Sequence, residues 1–191
     1  MRSGIHVSCL CIFLFLILLY FSPDSFLPLI LAVTLHELGH LLAARICGIA
    51  IGELKLNILG AAIIPANTLY SYKKELILCI GGPAANLLSA LVTSPLKNSS
   101  PFLAQFWLYS ISLAMLNLMP IKTFDGGRIF SSLLLCKLPL KAAEKILSFV
   151  SFAFIFTLWC ISVYLLLKIS SSISLFVFSI SIFSKIFVST S

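Results

Sequence analysis

The sequence predicts an all-α integral membrane protein with about six transmembrane helices in a single domain, residues 1–191. Hydrophobic residues make up 60% of the chain and charged residues only 10%, whereas a soluble domain is about half apolar and about a quarter charged. The mean hydropathy is +1.14. Apolar segments close to the bilayer-spanning length of about 20 residues recur along the chain. They leave no room for a sizeable soluble domain.

Six apolar segments are predicted to span the membrane, at about 7–21, 26–47, 75–95, 101–119, 146–167 and 173–188. The first is short and follows Arg2, as in a signal peptide, but no small-x-small cleavage site follows it. We therefore expect it to be retained. The sixth contains Lys185, which can extend its ammonium group to the interface if it lies near a helix end.

A different pattern lies between the second and third segments. Glu53, Lys55 and Asn57 alternate there with apolar residues, which is the period of a β-strand. With Gly60 as a turn, the segment would form a small membrane-embedded β-hairpin. An amphipathic loop resting on the membrane surface fits the same pattern equally well.

The basic residues predict a cytoplasmic N-terminus. This orientation leaves only Lys97 and Lys168 on the outer side, in accord with the excess of Lys and Arg in cytoplasmic loops. The residues it places inside are Arg2, Arg45, Lys55, Lys73, Lys74, Lys122, Arg128, Lys137, Lys141, Lys145 and Lys185. Membrane orientation accounts for the net charge of +7, so no nucleic-acid partner is expected. The six cysteines include no C-x-x-C pair and are interpreted as small buried apolar residues.

The most unusual stretch is His-Glu-Leu-Gly-His at residues 36–40, because it lies inside the second apolar segment. Residues four apart on a helix point in directions about 40° apart, so His36 and His40 can bind one Zn²⁺. Glu37 is rotated about 100° from His36, where it can act as a general base toward an attacking water. A structural histidine cluster, hydrogen-bonded to neighbouring helices, is the alternative.

A catalytic zinc site needs a third protein ligand, and no histidine besides His6 remains for it. Asp125 is the best candidate carboxylate. It follows Pro120, which ends the fourth segment, and precedes Gly126 and Gly127, which permit irregular backbone close to an interior site. The alternative is an ordinary Asp-Gly surface turn.

The third apolar segment contains Gly-Gly-Pro-Ala-Ala-Asn at residues 81–86. Its small residues allow another helix to pack closely. Asn86 can hydrogen-bond a substrate backbone or a developing oxyanion, and an equally good interpretation is a hydrogen bond that holds helices together.

These three motifs, completed by Asn-Leu-Met-Pro before Asp125-Gly-Gly, resemble the site-2 protease family of intramembrane zinc metalloproteases. The layout is most similar to the branch that includes stage IV sporulation protein FB. The resemblance implies a catalytic core at about 26–130 and accessory spans at 7–21, 146–167 and 173–188. That branch commonly carries a C-terminal nucleotide-sensing CBS domain, for which residues 1–191 offer no segment, so nucleotide regulation is not expected.

The resemblance also implies functions for individual residues. His36, His40 and Asp125 would bind Zn²⁺, Glu37 would be the catalytic acid/base, and Asn86 and Asn117 would support substrate or oxyanion binding. The substrates would be membrane-tethered proteins cut in or near a transmembrane segment, with a regulatory membrane partner or an oligomer as further expectations. The location implied is the bacterial cytoplasmic membrane. A catalytically silent scaffold and a metal transporter are the alternatives, and the transporter would need a second polar relay that the sequence does not show.

Overall fold

The computed structural model describes the backbone of residues 5–7, 23–49, 51–57, 60–65 and 71–169, and the side chains of 23–49 and 71–164. Within these ranges the chain forms three strands and five α-helices. In order they are β1 (Ile5–Val7), α1 (Pro23–Ile46), β2 (Ile51–Asn57), β3 (Gly60–Pro65), α2 (Tyr72–Thr93), α3 (Pro101–Asn117), α4 (Asp125–Leu135) and α5 (Leu140–Ile169). The chain divides into two compact units, residues 1–117 and 118–191.

Three of the described helices are long and apolar enough to cross a bilayer, so the chain is a multi-pass membrane protein. They are α1, α2 with the 3-10 turn that extends it to Leu96, and α5 over Leu140–Tyr164. The 17-residue α3 is about 25 Å long at 1.5 Å per residue, which is less than the hydrocarbon thickness of about 30 Å. Residues 8–22 and 173–188 lie outside the described residues. The number of six spans therefore stays a prediction.

The outer surfaces of these helices are apolar. Leu91 on α2 is 70% exposed and Phe149 on α5 is 73% exposed, and many other large apolar side chains are similarly open. Such a surface would be unfavourable in water, but lipid tails are as apolar as leucine. The buried residues of α1 are instead small or polar, and they include Ala32, Ala44 and the two histidines.

The three strands belong to the first unit and form one sheet in the order β1-β2-β3. β1 pairs in parallel with β2, and Ile5 lies opposite Leu54. β2 pairs antiparallel with β3 from Ile51–Pro65 to Asn57–Gly60, with an irregularity between Ile51 and Glu53. The described backbone of this region is paired strand, and the membrane-embedded hairpin stays a prediction.

The helices of the first unit approach closely at glycine. α1 packs against α2 and α3, and α2 packs against α3. A Cβ atom added at Gly81 would lie 2.7 Å from Ala43 Cβ and even closer to the carbonyl oxygen of Gly39. The reverse holds for Gly39, whose added Cβ would lie 2.7 Å from Ala85 Cβ. The backbones of α1 and α2 therefore touch at these two residues, as small-residue motifs in membranes allow.

The second unit begins with an irregular segment, residues 118–124, that leads into α4. Ile121, Phe124 and Ile155 form its buried apolar cluster. The segment is also held by Ser151 of α5, whose Oγ accepts the Lys122 N–H at 3.1 Å and donates to the Pro120 carbonyl at 3.3 Å. Ser151 is fully buried, so these hydrogen bonds satisfy backbone groups that the broken helix leaves open.

Candidate metal centre

His36 and His40 direct their imidazole rings to one point inside the first unit. Both are buried, at 5% and 7% exposure, and their Nε2 atoms lie 3.2 Å apart. The rings are nearly perpendicular, at 83°, with centroids 4.8 Å apart. Two nitrogens at this separation can both lie about 2.0–2.1 Å from one Zn²⁺. The i, i+4 spacing on α1 thus produces the convergence that the sequence predicted.

A main-chain carbonyl of α2 orients the second of these rings. His40 Nδ1–H donates to the Leu78 oxygen at 2.8 Å. The Gly82 N–H also lies 3.3 Å from His40 Nδ1, but a protonated Nδ1 cannot accept it, and the shorter contact decides the tautomer. With the proton on Nδ1, the lone pair of His40 is on Nε2, as a metal ligand requires.

The space beside the two Nε2 atoms is open because residue 82 is glycine. A Cβ atom added there would lie 2.7 Å from His36 Nε2 and closer still to His40 Nε2. A side chain at this position would therefore crowd both donor nitrogens from the side on which α2 approaches them. Two buried nitrogens 3.2 Å apart, with no side chain at residue 82 to crowd them, therefore fit a zinc ion.

Asn86 lies against the other nitrogen of His36. Its side chain is 0% exposed, and its Nδ2 lies 3.3 Å from His36 Nδ1. Oδ1 of the same amide is buried and has no hydrogen-bond partner among the described residues. Leu78, Gly82 and Asn86 are four residues apart in sequence, so one face of α2 follows the two imidazoles.

The other predicted site residues occupy three places. Glu37 is half-buried on α1, directly after His36. Asn117 is the last residue of α3, and its Nδ2 donates to the Leu113 carbonyl of its own helix at 3.0 Å. Asp125 belongs to the second unit, where it is the half-buried first residue of α4. A carboxylate at this end of a helix is favoured by the helix dipole.

The backbone around Asp125 is tightly packed within its own unit. A Cβ atom added at Gly126 would come within 2.5 Å of the Met119 carbonyl oxygen, and one at Gly127 would come within 2.9 Å of Lys122 Cα. Phe124 before the helix is extended, with φ −106° and ψ 163°. The two glycines are therefore required by close backbone approach, which is what the sequence predicted for them.

Two contributors to the centre were not predicted from the sequence. Gly82 was interpreted only as a small residue for helix packing, and Leu78 was not considered at all. Its contribution is a main-chain oxygen, which carries no signal in the side-chain sequence. For Gly82 the sequence showed only that two adjacent residues of this segment are glycine, and the register between α1 and α2 decides which of them lies against the imidazoles.

The fold and the imidazole pair together define a multi-pass membrane protein with a candidate metal site among its apolar helices. The model of peptidase family M50 matches residues 25–97 and 94–158 of this chain. The chain therefore belongs to peptidase family M50. The members of this family are zinc metalloproteases. The resemblance predicted from the motifs is confirmed.

Two known proteins are similar to this chain. Stage IV sporulation protein FB of Bacillus subtilis (strain 168) is 29% identical over 168 residues, which is 84% of this chain and 58% of that protein. The chain thus spans less than two thirds of that relative. The solved structure of the site-2 protease from Methanocaldococcus jannaschii matches with a TM-score of 0.71 and 24% identity, over 97% of this chain and 91% of that one. At this identity the match shows the fold.

Proposed function

We propose that this chain is an intramembrane zinc protease that hydrolyses peptide bonds in or near the transmembrane segments of membrane-tethered proteins. The observation that carries the proposal is the pair of Nε2 atoms 3.2 Å apart on a helix long and apolar enough to span the bilayer. Ionisable groups are costly at that depth, and they are retained there chiefly for function. Membership of family M50 makes peptide hydrolysis the expected chemistry.

In this proposal His36, His40 and Asp125 hold the zinc ion. Two neutral imidazoles and one carboxylate are a common protein ligand set for catalytic zinc and leave the fourth position open. Gly126 and Gly127 favour Asp125 as the third ligand, because they let α4 begin immediately after an irregular segment. When bound, zinc would supply Lewis acidity toward a water and a peptide carbonyl.

Glu37 is the proposed catalytic acid/base. It follows His36 on α1, so its side chain leaves the helix about 100° from the imidazole, beside the ligands and not among them. It would accept the proton of the attacking water at a carboxylate oxygen and donate it to the leaving amine nitrogen.

The substrate peptide must be extended before it can be cut, because a helical peptide bond is shielded by its own hydrogen bonds. We propose that the β2–β3 pair is membrane-embedded and receives the unwound segment. β3 is at the edge of the sheet order β1-β2-β3 among the described strands, so its outer side offers main-chain hydrogen bonds to an added strand. Asn117, whose Nδ2 is engaged with Leu113, would contribute its Oδ1 to a substrate N–H.

The remaining parts of the proposal concern the membrane. It comprises six spans, a cytoplasmic N-terminus, and a bacterial cytoplasmic membrane as the location. His36 precedes Arg45 by 9 positions, or about 14 Å of helix, which would set the site toward the cytoplasmic side. Lipid and a membrane-tethered substrate are the partners, and a regulatory membrane protein or an oligomer would control access.

The test compares the wild-type protein with Glu37→Gln in proteoliposomes. The substrates are single-span fusion proteins with either a Gly-Pro or a Leu-Leu pair at the centre of the span. We expect wild type to cut the Gly-Pro substrate faster, and Glu37→Gln to lose about 10²–10⁴-fold in cleavage rate while it keeps its zinc. Retained cleavage by Glu37→Gln would overturn the assignment of the base.

The same preparations separate the two alternatives. A metal transporter would move ⁶⁵Zn²⁺ into sealed vesicles. It would cut neither substrate, so Glu37→Gln would show no cleavage defect. A silent scaffold would cut neither substrate and would move no zinc. In cells, we expect Glu37→Gln to accumulate an uncut membrane precursor, which comparative membrane proteomics would identify.

A further inference from the structure

We propose that Asn86 is a positioning residue of the metal centre. Its amide oxygen accepts a hydrogen bond from His36 Nδ1–H and so keeps the lone pair of His36 on Nε2, directed at the ion. The inference rests on the proposed zinc site and goes beyond it. It concerns how the first ligand is held in its binding tautomer.

The position of Asn86 excludes it from direct contact with a substrate that enters from lipid or water. Its side chain is 0% exposed and lies behind the His36 ring, 3.3 Å from Nδ1. Asn86 therefore contacts the edge of the ring at Nδ1, which points away from Nε2. A residue in this place can act on the reaction only through the imidazole.

The two ring nitrogens of His36 must have different protonation states when the ring binds a metal. Nε2 needs a free lone pair, so a neutral imidazole carries its proton on Nδ1. If Asn86 Nδ2 donates to Nδ1, the ring proton is moved to Nε2, where it blocks the ion. Only an acceptor behind the ring is compatible with metal binding.

Asn86 can provide that acceptor without any backbone movement. A half-turn of its amide about the Cβ–Cγ bond exchanges Nδ2 with Oδ1 and brings the oxygen to His36 Nδ1. While Nδ2 faces His36, Oδ1 has no hydrogen-bond partner among the described residues. A buried oxygen without a partner is unfavourable. Both the metal and the oxygen therefore favour the same amide orientation.

The arrangement at the second ligand is equivalent. His40 Nδ1–H donates to the Leu78 carbonyl at 2.8 Å. Leu78 lies about one turn before Gly82 on α2, and Asn86 lies about one turn after it, on the same face. One helix thus fixes both ligands from behind, once with a main-chain oxygen and once with a side-chain oxygen. Only the second contact can be removed by substitution, and this makes Asn86 the informative residue.

The experiment measures the zinc dissociation constant of the full chain in detergent by competition with a chelator. Asn86→Leu removes the acceptor at similar volume, and we expect affinity to fall about 10–100-fold, as for other outer hydrogen-bond partners of metal-bound histidine. Asn86→Asp keeps an acceptor for Nδ1–H, and we expect it to retain most of the wild-type affinity. Asn86→Ala is a second variant without an acceptor, in case leucine does not fit.

A purely structural Asn86 predicts the opposite order. If the residue only joins helices, leucine should be tolerated better than a buried carboxylate. Zinc affinity in Asn86→Leu and Asn86→Ala equal to that of wild type would overturn the proposal, and so would an Asn86→Asp variant as weak as Asn86→Leu. The Co²⁺ absorption spectrum provides an independent readout, because a rotated or protonated His36 changes the ligand field.

Ser110→Ala is the matched control. Ser110 is fully buried in the same unit, and its Oγ has no hydrogen-bond partner among the described residues. Removal of this polar atom should leave zinc affinity unchanged. His40→Ala shows whether the measured zinc is in the proposed site. If wild type binds zinc, His40→Ala does not, and Asn86→Leu is normal, then the inference fails while the proposed site stands.

Discussion

Glycine is used in two different ways at the α1–α2 contact and at the start of α4. At the first place, Gly39 and Gly81 let two regular helices touch, and Gly82 leaves a gap beside two imidazole nitrogens. At the second, Gly126 and Gly127 pack against the irregular backbone of residues 118–122 within their own unit. The first region makes room for a ligand, and the second makes room for the chain itself.

The two regions are also stabilised differently. The histidines are carried by a regular helix, and each ring has a contact from α2 behind it. The segment before Asp125 depends on a small apolar cluster and on one side chain, Ser151, that bonds two backbone groups. We therefore expect substitutions at the α1–α2 contact to change metal binding or helix packing selectively, and substitutions near α4 to loosen a loop.

The largest effect is expected for Gly82→Ala. The new methyl group would lie within 2.7 Å of both Nε2 atoms and force the imidazoles out of position, so zinc affinity should fall by at least about 100-fold, more than the loss of one outer hydrogen bond costs. Chelator competition on the purified protein measures this. In the metal-free protein the cost is confined to the displaced imidazole rings, because the helix backbone itself favours alanine over glycine by about 0.5–1 kcal/mol.

Gly81→Ala is the matched control for that substitution. Its Cβ would be forced against the Gly39 carbonyl and Ala43, so the helices must separate, at a cost of about 1–3 kcal/mol. This variant should lower the melting temperature of the metal-free protein more than Gly82→Ala does, because its added Cβ meets backbone atoms whereas that of Gly82→Ala meets side-chain atoms. A Gly82→Ala protein that binds zinc like wild type would remove the distinction between the two glycines.

An intermediate effect is expected for Ser151→Ala. The substitution leaves the Lys122 N–H and the Pro120 carbonyl without their partner, at a cost of about 1–3 kcal/mol. Hydrogen–deuterium exchange should become faster in the peptide that covers residues 118–127. If Asp125 is the third ligand, zinc affinity should also fall, although less than in Gly82→Ala.

Ser162→Ala is the corresponding control on the same helix. Ser162 is fully buried like Ser151, but its Oγ has no hydrogen-bond partner among the described residues. Loss of this hydroxyl should not change exchange in residues 118–127. Equal exchange rates in Ser151→Ala and wild type would show that the segment does not depend on these two hydrogen bonds.

The smallest effect is expected for Gly48→Ala, after the end of α1. Gly48 has φ 62°, and an added Cβ would meet nothing within 4 Å. The only cost is therefore the left-handed backbone, about 1–2 kcal/mol for a residue with a side chain. Thermal melting measures it, and Gly48→Asn should recover part of the loss. A change in zinc affinity would contradict this local role.

Most of the centre could be predicted wherever one helix contains the information. His36 and His40 converge because the helical repeat fixes the angle between residues four apart, and an apolar segment makes two histidines conspicuous. The three apolar helices were predicted for a similar reason, from segment length and composition alone. For residues 51–65 the strand and the surface loop were equally compatible with the sequence, because a short alternating pattern does not say whether a partner strand is present.

The sequence by itself determined that this chain lies in a membrane, that two imidazoles face one point, and that its family is peptidase M50. Only the tertiary structure decided which part of α2 faces those imidazoles. The register between two helices depends on how their surfaces pack, and no periodicity within either helix encodes it. That register makes Gly82 the open space beside Nε2, turns the Leu78 carbonyl to His40, and buries Asn86 behind His36.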